Sequence, residues 1–408
     1  MLAYIDGGVT APAGFRAIGV SAGFKKGKKD MSMILSDVPF NLAGTFTTNL
    51  VKAAPVKWDR DIVKNFGSAQ AVVMNSGIAN ACTGEEGDEA CRKTAQIAAS
   101  VLGLKTEQVL LASTGVIGEM LPLDKIEKGI RLMAPLLSSS RGAASAAEEG
   151  IMTTDTVKKE AAVTFELSGK RCTLAGMTKG AGMIHPKMGT MLCFLTTDAA
   201  VDAGLLQKIL SECVGDSFNM ISVDGDMSTN DTCLLMANGL AGNPKIVSES
   251  CEDYQVFRGA VEAVTKTLAR AMAKDGEGAH ALFEVTVKGA STQEQAVTLA
   301  KSVIESNLVK TAIAGHDANW GRIICAMGYS GASFDERKVS LSFISRAGEI
   351  VIAEDGVTTG FDEELATRIL SEDEITALID IREGSASATA WGCDLTHEYI
   401  TINADYRS

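Results

Sequence analysis

The sequence predicts an α/β protein of two domains, and three observations carry that expectation. Short apolar runs with the length and bounding of buried strands, at 71–74, 109–112 and 191–195, alternate with stretches of helical periodicity, at 88–102 and 256–273. At 408 residues the chain is too long for a single small core. Its composition, 46% hydrophobic and 22% charged, is that of an ordinary globular protein.

Charge and cysteine usage narrow the function classes. A net charge of -13 argues against nucleic acid or an anionic membrane as partner, because no basic stripe offsets it. The densest basic stretch, Lys25-Lys26-Gly27-Lys28-Lys29, is closely followed by Asp30 and reads as a solvated loop. Nine cysteines lie far apart without a Cys-x-x-Cys pair, so neither a zinc site nor a redox motif is indicated. Reduced thiols and a cytoplasmic setting are expected. The first eight residues lack the regions of a signal peptide, and no apolar run approaches the length of a membrane span.

In chain order, 16–20 is a short strand, and 33–39 and 44–49 read as further strand ends. The strand 71–74 runs into a small polar loop at 75–84, ahead of the helix that ends near Leu102. The strand 109–112 runs into Ser113-Thr114-Gly115. A strand ending this way exposes backbone N–H groups and a hydroxyl, which is how oxyanion holes are made, although the tripeptide alone mostly marks a turn. Pro122 and Asp124 open a helix with Ile126, Ile130 and Met133 on one face. A small-residue stretch, 142–150, precedes Met152-Thr153-Thr154-Asp155-Thr156, and 164–167 with 171–176 read as a hairpin.

Residues 203–213 form the next helix. The Asp-x-Asp-x-Ser start at Asp224 fails the calcium-loop template, with Thr229 in place of the turn glycine and Leu235 in place of the closing glutamate. Beyond the helix 256–273, Glu277 stands between two glycines on a tight turn, where a solvated loop is the bland reading. A strand at 282–287, a helix through Val303, a hairpin over 338–353 and helical faces holding Leu365, Ile369, Leu370, Ile375, Leu378 and Ile379 follow. The end, from Ala390, reads as a final strand with a polar tail.

The stretch 179–198 organises the rest. Gly180, Gly182 and Pro186 keep its start from being plain helix or strand; from Thr190, led in by Gly189, the run suits a buried strand in length and bounding, and periodicity alone does not exclude a helix. If the Gly189–Thr190 bond were cut, Thr190 would carry a nucleophile and a free amine that serves as its base. Most threonines at the mouth of an apolar run are structural, so the local pattern alone does not decide.

The same stretch resembles the cleavage-site signature of the glutamate N-acetyltransferase/ornithine acetyltransferase (ArgJ) family, whose usual form is KGSGMIAPNMATML. Lys179, Gly180, Gly182, Met183, Ile184, Pro186, Met188, Thr190, Met191 and Leu192 match; Ala181, His185, Lys187 and Gly189 depart. Further blocks follow in order from Gly14 to Ser408, among them Ser228-Thr229-Asn230-Asp231-Thr232 and the Asn319-Trp320-Gly321-Arg322 turn.

The resemblance implies an arginine-biosynthesis enzyme that moves an acetyl group from N2-acetyl-L-ornithine to L-glutamate without a cofactor, acetyl-CoA serving as a second donor in some members. It implies a layered α/β fold also seen in DmpA-type aminopeptidases, with a catalytic domain over 1–280 and a smaller α/β domain over 281–408 whose tail returns to the active site. Self-cleavage would give chains 1–189 and 190–408, assembled as an α2β2 heterotetramer. It further implies Thr190 as nucleophile and Thr114 with Gly115 as oxyanion hole. The substrate-binding residues would be Thr153 (Thr154 the near alternative), Lys179, Thr190, Glu277, Asn403 and Ser408; no metal is called for. Two other readings stand beside it: an N-terminal-nucleophile amidohydrolase or aminopeptidase with water as acceptor, and an uncleaved homologue that merely binds amino acids, kept open by Gly189.

Overall fold

The computed structural model describes residues 2–185 and 191–405. The chain forms two compact units. The first comprises 1–180, 187–219 and 227–268; the second comprises 181–186, 220–226 and 269–408. Sequence reading drew one cut at 280/281, whereas each unit is assembled from three segments of chain.

A nine-stranded sheet builds the first unit: β1 (Ala3–Ile5), β2 (Phe15–Val20), β3 (Met31–Phe46), β4 (Ser68–Ile78), β5 (Val109–Val116), β6 (Glu160–Leu167), β7 (Lys170–Lys179), β8 (Leu192–Thr197) and β9 (Thr232–Ala237). Their order is β1-β6-β7-β8-β9-β3-β4-β5, with β2 paired to β3. Its helices are α1 (Ala54–Asn65), α2 (Gly84–Leu102), α3 (Leu123–Met133), α4 (Arg141–Ile151) and α5 (Ala203–Gly215), with α6 (Glu252–Lys274) belonging to it up to Leu268.

The two strand ends expected at 33–39 and 44–49 belong to one strand. The first half of β3 pairs with β4, Met31 opposite Asn75, and its second half with β9, Phe46 opposite Thr232. The register shifts between Leu35 and Phe40, where Pro39 has no N–H to give a ladder. A strand that bends this way serves two partners.

Both faces of β5 are buried, which is why it reads as a continuous apolar run. Leu110 and Ala112 join a core with Ile34, Met74 and Phe194, while Val109 and Leu111 join another with Met33, Val73 and the apolar sides of α2 and α3. The stretch 142–150 folds as α4, since alanine is the best helix former and Ser140 caps the first turn by accepting from the Ala143 N–H. Ala144 and Ala147 are fully buried in the first of these cores, where small side chains let a helix lie close to a sheet.

A six-stranded sheet builds the second unit: β10 (Leu282–Ala290), β11 (Ser340–Ser345), β12 (Gly348–Glu354), β13 (Val357–Thr358), β14 (Glu374–Asp380) and β15 (Ala386–Cys393), in the order β13-β12-β11-β14-β10-β15. Its helices are α7 (Gln293–Glu305), α8 (Asn307–Ala314), α9 (Trp320–Gly328), α10 (Glu363–Leu370) and α11 (His397–Ala404). Two expectations are corrected here. Ile375, Leu378 and Ile379 lie on β14, not on a helix; the pattern from Glu374 alternates strictly, Ile375, Ala377 and Ile379 being buried. The polar tail expected after the last strand is helical over 397–404, capped by the Thr396 hydroxyl accepting from the Glu398 N–H. The β-branched run around Ile400 and Ile402 hid that helix.

Candidate active site

The first unit gathers its polar chemistry where β5, β7, β8 and β9 begin or end. Ser113 and Thr114 are buried at the end of β5. Gly115 sits at φ +129°, and a Cβ there would lie 2.2 Å from the Gly77 carbonyl carbon, so only glycine lets the two strand ends close up. The side chain of Asn230 reaches these ends. Its Nδ2 donates to the carbonyls of Ser113 and Ala79, both at 2.7 Å, while the Thr229 hydroxyl donates to its Oδ1. The next residue, Asp231, accepts the Met191 N–H at 2.9 Å, and the Thr232 N–H donates to the Met191 carbonyl. The string Ser228–Thr232 therefore links the strand end at Ser113–Thr114 to Met191, the residue that follows Thr190. Pro186 to Thr190, and with them the expected cleavage site at Gly189 and the expected nucleophile Thr190, lie outside the described residues.

Lys179, at the end of β7, is 2% exposed and opposite Leu192 in the ladder. Thr153 is close by through Asp155, the hub that sequence reading passed over. One carboxylate oxygen of Asp155 accepts the Gly180 N–H and the Lys159 ammonium, both at 2.7 Å, and the other accepts the Thr153 N–H at 2.9 Å. Both side chains of the Lys159–Asp155 pair are fully buried. Burial alone would raise the carboxyl's pKa, but the Lys179 and Lys159 charges and these donors hold it well below the usual carboxylate range. The signal for Asp155 was in plain view, an acid two residues from a candidate threonine, but its partners come from sequence positions up to 25 residues away.

Thr153 also lines a cleft of 340 Å³ with Lys25, Lys28, Lys29, Glu149, Met152 and Asp155. The loop of lysines is not wholly a solvated one. Asp30 is fully buried and accepts four backbone N–H groups, from Ala22, Gly23, Phe24 and Lys25, which folds the loop around it. Lys25 is half-buried and donates to the Met152 carbonyl at 2.7 Å. Burial lowers its pKa to about 8; Asp30 opposes that, and Lys28 and Lys179 add to it.

The second unit holds the other two described candidates, and they touch. Asn403, on α11, donates to Glu277 at 2.8 Å. The Glu277 N–H donates to the Ala181 carbonyl, and a Cβ on Gly182 would lie 2.2 Å from a Glu277 carboxylate oxygen. That glycine of the signature is what admits the acid. The helix is further tied down by the Tyr399 hydroxyl donating to Asp224, a carboxylate that also accepts the Met183 and Ile184 N–H groups. Ser408 lies outside the described residues.

A mixed α/β protein whose strand ends carry a buried carboxylate, lysine and threonine set at the entry of a core strand is the class that fold and site define. The ArgJ family model matches residues 16–408, and the chain belongs to that family. An arginine biosynthesis bifunctional protein ArgJ of Symbiobacterium thermophilum is 51% identical over 408 residues, covering 99% of this chain and 100% of its own. The protein of that description from Caldanaerobacter subterraneus subsp. tengcongensis is 50% identical over 404 residues, 99% of each chain. A crystal structure of arginine biosynthesis bifunctional protein ArgJ from Bacillus halodurans is 44% identical, with a TM-score of 0.50, over 52% of this chain and 97% of that one.

Proposed function

We propose that the chain is the acetyltransferase of arginine biosynthesis that transfers an acetyl group from N2-acetyl-L-ornithine to L-glutamate through an ester on Thr190, formed after self-cleavage at Gly189–Thr190. Family membership along nearly the whole chain supports the activity. The observation that carries the mechanism is the link from Met191 through Asp231 and Asn230 to Ser113, which ties the residue after the nucleophile to the strand end bearing Thr114 and Gly115.

In this reading Thr190 Oγ attacks the Gly189 carbonyl, and hydrolysis of the ester leaves two chains. The freed amine, with an ordinary pKa of about 7.7–8.0, then serves as the base for the hydroxyl. Acetyl-ornithine acylates Thr190 while Thr114 and Gly115 stabilise the oxyanion, ornithine leaves, and the glutamate amine takes the acetyl group. Thr153, Lys179, Glu277, Asn403 and Ser408 bind the amino acids. The Bacillus halodurans chain, matched along 97% of its length yet spanning about half of this one, supports a two-chain enzyme. An α2β2 assembly, a cytoplasmic setting and acetyl-CoA as second donor belong to the same proposal.

The test is an acetyl-transfer assay with acetyl-ornithine, acetyl-CoA or neither, each with and without glutamate. Acetyl-glutamate formed from acetyl-ornithine, with parallel initial-rate lines, is the expected result. Release of acetate without dependence on glutamate would instead assign water as the acceptor.

A further inference from the structure

The two substrates of this transfer pose a recognition problem. N2-acetyl-L-ornithine ends in a δ-ammonium and L-glutamate in a γ-carboxylate, and a ping-pong enzyme takes them in turn at one site. A fixed charge where the tail lies would attract one substrate and repel the other. The group that meets the tail must therefore present a positive charge to glutamate and withdraw it from ornithine.

We propose that Lys25 is that group: its ammonium receives the γ-carboxylate of glutamate and yields when the δ-ammonium of ornithine takes its place. The inference rests on the acetyl-transfer reading above. Lys25 stands between two of the candidate site residues of the first unit. Its stem runs beside Gly77, where a Cβ would lie 3.8 Å from the Lys25 Cγ, and Gly77 is opposite Gly115 in the β4–β5 ladder. Its ammonium donates to the carbonyl of Met152, the residue before Thr153, at 2.7 Å. The loop is preset around the buried Asp30, which also accepts the Lys25 N–H at 2.9 Å.

The charges of the 340 Å³ cleft leave Lys25 available. Its two acids are engaged by other lysines, Glu149 by Lys29 and Lys158, and Asp155 by Lys159. The acceptor of Lys25 is a neutral carbonyl, which a carboxylate outbids because a hydrogen bond between two charged groups is roughly twice as strong. Withdrawal is equally open to it. Burial, with help from Lys28 and Lys179 and against Asp30 and Asp155, lowers its pKa to about 8, so beside a second ammonium it gives its proton to water at little cost.

With acetyl-ornithine as donor, kcat/KM would be measured for glutamate and for glutamine, which lacks the γ charge. The proteins are wild type, Lys25→Met and Lys26→Met, each with its KM for acetyl-ornithine and a melting curve. Methionine keeps an unbranched stem and removes the charge; the exposed Lys26 is the control for charge alone. Lys25→Met should raise the glutamate KM at least about tenfold and erase the preference for glutamate over glutamine, while the acetyl-ornithine KM moves less than about twofold. Lys26→Met should keep the wild-type preference. A preference kept by Lys25→Met or lost equally by Lys26→Met, or equal rises in both KM values, overturns the inference and leaves the transferase standing. If Lys25→Met does not fold, wild type decides. The α-amines of glutamate and glutamine titrate nearly alike, so the preference reports the tail and should fall as pH rises through 8. A preference flat across that value overturns the inference. A wild type that makes no acetyl-glutamate from acetyl-ornithine overturns both.

Discussion

Lys25 shows how far a single residue can depart from its sequence context. In a run of four lysines it looked solvated, yet the fold seats it half-buried beside Met152 and Thr153. With its pKa lowered to about 8, the ammonium is present below that pH and lost above it. In the unfolded chain it stays charged to about pH 10.4, so folding releases a proton between the two values and stability rises with pH across that window. If the cleft receives the carboxylates of substrate, KM for glutamate should climb as pH passes 8, and Lys25→Arg should flatten the climb because a guanidinium stays charged. A KM that rises identically in both proteins would remove Lys25 from binding. Thr114 owes its candidacy to the resemblance, since Ser113-Thr114-Gly115 alone mostly marks a turn. Thr114→Ala should lower kcat about 10²–10³-fold with the acetyl-ornithine KM nearly unchanged, and a loss seen only in KM would make it a binding residue.

Elements were legible where the pattern was local and illegible where tertiary contacts overrode it. The buried strands β5 and β8 were readable from the length and bounding of their apolar runs, and the amphipathic helix α3 from its apolar spacing. Three were not. The two halves of β3 looked separate because Pro39 interrupts them, α4 because small residues carry no apolar face, and α11 because its residues favour strands. α11 is held by Thr396, whose hydroxyl also donates to the Gly278 carbonyl, and by the Tyr399 and Asn403 contacts. The resemblance gives the residues beyond it a part in substrate binding. Deleting Asp405 to Ser408 should raise KM for both amino acids at least about tenfold, as expected for losing a charge-assisted hydrogen bond of about 1.5–3 kcal/mol, while self-cleavage proceeds. Unaltered KM values would show that the end of the tail takes no part in binding.

At the scale of the molecule, the sequence announced α/β architecture and two bodies, but not how the chain shares them. The signature stretch passes from the first unit to the second at Gly180–Ala181 and returns after Pro186. Its matched positions thus serve different ends: Lys179 and Met191 belong to the first unit's polar cluster, Gly182 to the seat of Glu277 in the second. Spacing along a sequence cannot display that division, because the partners of each residue lie on distant segments. The site residues that resemblance picked out fall into the same two groups, Thr114, Gly115, Thr153 and Lys179 in one, Glu277 and Asn403 in the other.

The central claim is that Thr190, freed by the chain's own cleavage, carries the acetyl group. Intact-mass measurement of the purified protein, before and after brief exposure to acetyl-ornithine without glutamate, tests it directly. The account predicts two fragments, the second beginning at Thr190 and gaining the mass of one acetyl group, which glutamate then removes. A single chain of 42.8 kDa that transfers acetyl groups at full rate, or two fragments of which the second never gains the acetyl mass, would contradict it.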